Sequence, residues 1–148
     1  MRRGLMAWNE AELPKVALEQ RLTHVRALMQ NAGLDALVIY TNIARGAAVC
    51  WLTGFTPYWN EGLLLVPARG EMVFATALSK RVADWIESVM PAGQVITTPK
   101  PSALIGAEIA KQCGTMIGIL ELDDFPAGHA QAILHSVSGA KLIDASAL

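Results

Sequence analysis

The sequence predicts an α/β domain with a partly antiparallel sheet, and three features lead there. Short apolar runs rich in strand formers recur along the chain, the first being "DALVIY", Asp35 to Tyr40. Between them stand stretches with apolar residues at helical spacing. Two of the runs, "GLLLVP" and "EMVFAT", flank the Arg69-Gly70 step, which joins them as a hairpin. Alternating helices and strands place helices on the sheet faces, and the hairpin makes the sheet mixed.

In "PKVALEQRLTHVRALMQN", from Pro14 to Asn31, Val16, Leu18, Leu22, Val25, Leu28 and Met29 form one broad stripe, so a first helix is expected, stopped by Gly33. "DALVIY" is too short for a second helix and reads as a buried strand. "AAVCWL" reads as another strand, left at Thr53-Gly54, with Trp51 and Leu52 packed inward. "SKRVADWIESVM" carries Val82, Trp85, Ile86 and Val89 at helical spacing, with Ser79 as its cap and an end before Pro91. "QVITT" then reads as a strand, "SALIGAEIAKQCG" as a helix stopped by Gly114, and "TMIGILEL" as a buried strand. In "DDFPAGHAQAILHSV", Asp124 is the expected cap of a helix whose apolar face holds Ala130, Ile133, Leu134 and Val137. "KLID" closes as a short edge strand.

The 148 residues make one domain, and 53% hydrophobic residues suffice for a core. Twelve basic and thirteen acidic residues nearly cancel, and no basic stretch exceeds Arg2-Arg3, which disfavours nucleic acid as a partner. No apolar stretch is long enough for a membrane span, so no membrane association and a cytoplasmic location are expected. Cys50 and Cys113 lie far apart in apolar surroundings, fitting core thiols in a reducing compartment better than a disulfide framework or a zinc motif.

The familiar chemistries find little support. No "G-x-S-x-G" elbow accompanies the scattered histidines, and His24 falls inside a helix. Glu121, Asp123, Asp124, His129 and His135 have metal-binding side chains, but the two histidines stand six apart on one helix and point in different directions. Glycines are dispersed, without a phosphate-cradling run. No catalytic residue and no metal ligand is assigned to the chain. The unusual surface is Phe55, Tyr58, Trp59, Asn60 and Glu61, where aromatics beside an amide and a carboxylate suit either a substrate or interface contact or a well-packed turn with a polar tip.

Four stretches, "RLTHVRALMQNAGLDALVIY", "VCWLTGF", "EGLLLVPARGEMVFAT" and "IGILELDDFPAGHAQAIL", resemble in order and spacing the amino-terminal domain of the creatinase, prolidase and aminopeptidase P family, the M24 metallopeptidase-like enzymes. The resemblance runs from about residue 17 to 145, and its best local signal is "WLTGF". It implies a three-layer α/β/α domain with a mixed sheet and a ribonuclease H-like motif, attached in such proteins to a larger pita-bread domain where hydrolysis occurs. In metallopeptidase members that second domain holds two divalent metal ions, whereas creatinase works without metal. None of those catalytic motifs falls on residues 1 to 148.

The resemblance therefore implies a non-catalytic domain of an Xaa-Pro peptidase-like or creatinase-like hydrolase. Such a domain contributes to homo-oligomer contacts, as in a dimer, and helps enclose the active site of the absent catalytic domain. This chain alone would be inactive, hold no cofactor, and meet a peptide substrate only within the full-length protein. The alternative is a stand-alone dimerisation or small-ligand-binding module without hydrolase activity.

Overall fold

The computed structural model describes residues 9–56, 61–90 and 93–148. In chain order the elements are α1 (Lys15–Asn31), β1 (Ala36–Thr41), α2 (Ala47–Thr53), β2 (Gly62–Pro67), β3 (Val73–Thr76), α3 (Lys80–Val89), β4 (Gln94–Thr97), α4 (Pro101–Gln112), β5 (Met116–Ile119), α5 (Ala127–Ser136) and β6 (Lys141–Asp144), with a 3-10 turn at Leu122–Asp124. The strands form one sheet in the order β4-β3-β2-β1-β5-β6. β2 pairs antiparallel with both β1 and β3, while β1–β5, β5–β6 and β3–β4 are parallel. β2 alone therefore runs against the other strands. The carboxyl ends of β1, β3, β4, β5 and β6 all emerge at one edge, beside the start of β2.

Side-chain alternation divides the core into two layers. On one face Leu37, Ile39, Leu64, Val66 and Phe74 meet Met29 of α1, Val49 and Leu52 of α2, and Ile86 of α3. On the other, Val38, Leu63, Leu65 and Val73 meet Ile105 and Ile109 of α4 and Ile133 of α5. The domain is thus a three-layer α/β/α fold with a mixed sheet. β1 and β2 lie in the middle and read as nearly continuous apolar runs because both of their faces are covered.

Most elements fall where the sequence places them. α1 ends as expected: Gly33 adopts φ 67°, and the Gly33 and Leu34 amides donate to Gln30 and Met29 at 3.1 and 2.9 Å. This pair of bonds satisfies carbonyls that the last helical turn leaves open, and the left-handed position between them favours glycine. Gly114 acts differently from a helix stop. Its φ is not positive, but a Cβ there would overlap the Asp35 carboxylate, which accepts the Met116 amide at 2.9 Å.

The run "AAVCWL" is a helix rather than the expected strand. Val49, Leu52 and Thr53 are buried at i, i+3 and i+4, the helical pattern, and Thr53 Oγ1 donates to the Val49 carbonyl at 2.6 Å and accepts the Phe55 amide at 3.1 Å. Gly54, at φ 75°, ends the helix with its amide on the Cys50 carbonyl. Trp51 consequently faces outward at 44% exposure instead of packing in. Its ring lies 5.2 Å beneath the Arg21 guanidinium, and its carbonyl accepts Arg21 Nη1 at 2.8 Å.

Three smaller expectations change as well. Ser79 precedes α3, but its side chain makes no capping hydrogen bond. Asp124 does not cap α5, which begins after Pro126, and its carboxylate turns instead to Arg45. Leu134 is 44% exposed while Ile133 and Val137 of the same predicted face are buried. Among the described residues no helix is long and apolar enough to cross a membrane.

Candidate functional site

The carboxyl edge of the sheet gathers the polar groups that interior strands cannot hold. β1 brings Tyr40, the start of β2 brings Glu61, and the first turn of α5 brings His129. The Tyr40 hydroxyl donates to Glu61 Oε2 at 3.0 Å, and Asn42 Nδ2 donates to the Tyr40 oxygen at 3.4 Å. His129 Nε2 lies 4.0 Å from the same Glu61 oxygen, close enough for ion pairing when the imidazole is protonated. The Tyr40 ring is flanked by Phe125 and His129, with centroids 6.3 and 5.6 Å away. His129 is largely buried in this aromatic packing, whereas the Glu61 side chain is half exposed.

Beside this group, the turn after β1 is tied to the turn after β5. Arg45 Nη2 meets Asp124 Oδ2 at 2.8 Å, Arg45 Nη1 donates to the Asp124 carbonyl at 3.3 Å, and Glu121 Oε2 lies 3.6 Å away. Asn42 Oδ1 accepts the Ala44 and Arg45 amides, and Thr41 Oγ1 donates to the Arg45 carbonyl, so the turn is braced from within. Glu121 adopts a left-handed conformation at φ 55°, unusual for a residue with a Cβ, and Ser146 Oγ accepts its amide at 3.0 Å. The side-chain and backbone hydrogen bonds from Ser146 hold the Asp144 carboxyl below its ordinary value.

These links predict a modest cost for breaking the brace. Arg45→Ala is expected to lower folding stability by about 1 kcal/mol, since its ion pairs are largely solvent-screened while its carbonyl bond anchors the two turns. Urea denaturation measures this; an unchanged midpoint would show that the turns hold without it.

The sequence-predicted contact residues separate here. Phe55 is 5% exposed and packs edge-on against Phe74 and Trp85, 5.7 and 6.1 Å between centroids, so its ring belongs to the core. Tyr58, Trp59 and Asn60 lie outside the described residues. Glu61 stands in the polar group just described. Tyr40, Asn42, Arg45 and His129 join it from the end of β1, the turn after it and the first turn of α5, and that placement at strand ends and adjoining turns is the signal the sequence offers for them. Among the described residues no three His, Cys, Asp or Glu converge to hold a metal ion. Arg45 already occupies the space between Glu121 and Asp124, and His129 faces Glu61. Burial, with smaller contributions from Asp35 and Glu108, raises the Cys113 thiol above its ordinary value, disfavouring the reactive thiolate.

The arrangement thus offers an oriented carboxylate, a phenol and an imidazole beside a rigid turn, suited to recognition through hydrogen bonds and charge. Residues 21–148 match the creatinase/prolidase N-terminal domain model. The chain belongs to that family. Among solved structures, it resembles an Xaa-Pro aminopeptidase from Streptococcus pyogenes with TM-score 0.67 and 24% identity, covering 86% of this chain and 91% of that one. The N-terminal domain of the cytoplasmic peptidase PepQ from Mycobacterium tuberculosis gives TM-score 0.69 and 23% identity, with 86% and 93% covered. An Xaa-Pro dipeptidase from Bacillus anthracis gives TM-score 0.63 and 19% identity over 87% of this chain but only 34% of its own. At these identities the structural likeness establishes the family's fold. No curated protein matches the chain significantly in sequence.

Proposed function

We propose that this domain is the non-catalytic N-terminal part of an Xaa-Pro peptidase-like hydrolase, where it contributes oligomer contacts and helps enclose an active site built by a separate catalytic domain. The observation carrying this reading is the family match across residues 21–148, joined to a likeness that covers only 34% of the Bacillus anthracis dipeptidase. Any two-metal centre would belong to the catalytic part. Peptide substrate would be met only in the longer, cytoplasmic protein. Glu61, together with Tyr58, Trp59 and Asn60, supplies the proposed contacts.

The reading predicts no hydrolysis of Xaa-Pro dipeptides by the 148-residue chain, with or without added manganese or zinc, and hydrolysis by the longer protein. In that longer protein, Trp59→Ala is expected to raise KM or the oligomer dissociation constant roughly tenfold with little change in Tm, as for an aromatic contact outside the core. Metal-dependent turnover by the isolated chain would overturn the assignment. A large fall in Tm with unchanged kinetics and assembly would return Trp59 to a packing role.

A further inference from the structure

The carboxyl edge of the sheet is divided by charge. Along the order β4-β3-β2-β1-β5-β6, Lys100 follows β4 and the Lys80-Arg81 pair follows β3, whereas Glu121, Asp123 and Asp124 follow β5. Lys80 is engaged by Asp84 at 2.8 Å, and Arg45 partly offsets Glu121 and Asp124. Arg81, Lys100 and Asp123 are exposed and lie outside the ion pairs formed among the described residues. One half of the edge is therefore basic and the other acidic.

Ile43 stands at the middle. It follows β1, which with β2 occupies the centre of the six strands, and it is 75% exposed. Its turn is braced by the Thr41, Asn42 and Arg45 bonds already described. An aliphatic side chain carried on a braced turn costs little further backbone freedom on contact, a favourable property for the centre of an interface.

We propose that this edge binds a second copy of the chain about a two-fold axis along the sheet normal, with Ile43 near the axis. Two edges can face one another about an axis either along the sheet normal or along the edge itself. The first reverses the strand order, setting the basic β4-β3 half against the partner's acidic β5 side. The second sets like charges opposite one another. Charge complementarity selects the first, and symmetry makes each favourable pairing occur twice. This deepens the oligomer-contact part of the function proposed above and rests on that part.

The test is sedimentation equilibrium of the 148-residue chain at ionic strengths of about 0.01 and 1 M, where the Debye length is about 30 and 3 Å. A dimer tighter at low salt is expected. Asp123→Lys and Arg81→Glu should each weaken it about tenfold, because the reversed strand order sets the turn after β3 opposite the partner's turn after β5 and each exposed pairing is lost twice. Their combination should restore affinity to within about threefold of the original, and Ile43→Asp should abolish the dimer. Circular dichroism and Tm for each variant check that these exposed substitutions leave the fold intact. A monomer at low salt overturns the proposal. So does a dimer indifferent to Asp123→Lys, or failure of the double charge exchange to recover binding. An indifferent dimer rejects this surface while preserving oligomer contact, whereas Xaa-Pro hydrolysis by the chain alone would reject the non-catalytic assignment instead.

Discussion

Ile133→Ala is expected to cost about 3 kcal/mol of folding stability, within the range for truncating a fully buried isoleucine. Ile133 is 0% exposed and is the one residue of α5 fully enclosed between α4 and the sheet. Its core neighbours include Ile105, Ile109 and Phe125. Removing three carbons there loses apolar burial and leaves space that the sheet and α4 cannot readily close. The urea midpoint should fall with little change in slope, and Tm should drop by roughly 6–12 °C for a domain of this size. Leu134→Ala is the internal contrast: the neighbouring side chain is 44% exposed, so its loss should remain within about 1 kcal/mol. Equal losses at the two positions would contradict the orientation of α5. Because Phe125 and His129 lie at the start of this helix, the larger variant should also loosen the aromatic packing around Tyr40, visible as changed near-ultraviolet circular dichroism.

The same pair shows what apolar spacing could establish. "AQAILHSV" specifies an amphipathic helix, but adjacent Ile133 and Leu134 differ by about 100° around it, and only the position of α4 decides which is covered. The sheet was more legible: β1 and β2 are covered on both sides, and burial on both faces demands continuous apolar runs such as "ALVI" and "LLLV". "AAVCWL" lacked that clarity. Six apolar residues fit either a buried strand or two helical turns, and the deciding fact is tertiary: Val49 and Leu52 meet one layer while Trp51 finds Arg21.

The candidate site was less legible because its groups converge from distant parts of the chain. Glu61 could be chosen as a carboxylate in an aromatic loop, but Tyr40 becomes its partner only through β1–β2 pairing, where Tyr40 stands opposite Leu63. Asp124 likewise looked like a helix cap because it lies just before Pro126. The parallel β1–β5 pairing brings Arg45 close enough to claim its carboxylate. Phe55 illustrates the opposite case. A loop aromatic suggested contact with a partner, yet Gly54 turns the chain so that the ring meets Phe74 and Trp85 inside the domain.

The second large effect is expected where α4 and α5 come closest. Gly106→Ala should destabilise the domain by about 2 kcal/mol, although alanine favours an isolated helix by about 1 kcal/mol over glycine. A Cβ built at Gly106 would lie 2.6 Å from Ser136 Cβ, 2.7 Å from Ser136 Oγ and 3.5 Å from Ile133 Cα. The nearest of these is attached directly to the α5 backbone, so rotating a flexible side-chain end cannot remove the clash. Nor is the hydroxyl free to turn away without loss, because Ser136 Oγ donates to the Ala132 carbonyl at 2.9 Å. The helices must separate, and separation opens gaps around the Ile105, Ile109 and Ile133 layer. Ser136→Gly removes the opposing Cβ and should recover at least half of the Gly106→Ala loss when the two changes are combined, despite costing helix propensity on its own. Urea denaturation of the four proteins measures that coupling directly. Additive losses would mean that α4 and α5 accommodate the methyl group elsewhere, and an increase in stability for Gly106→Ala would show that helix propensity outweighs the close approach.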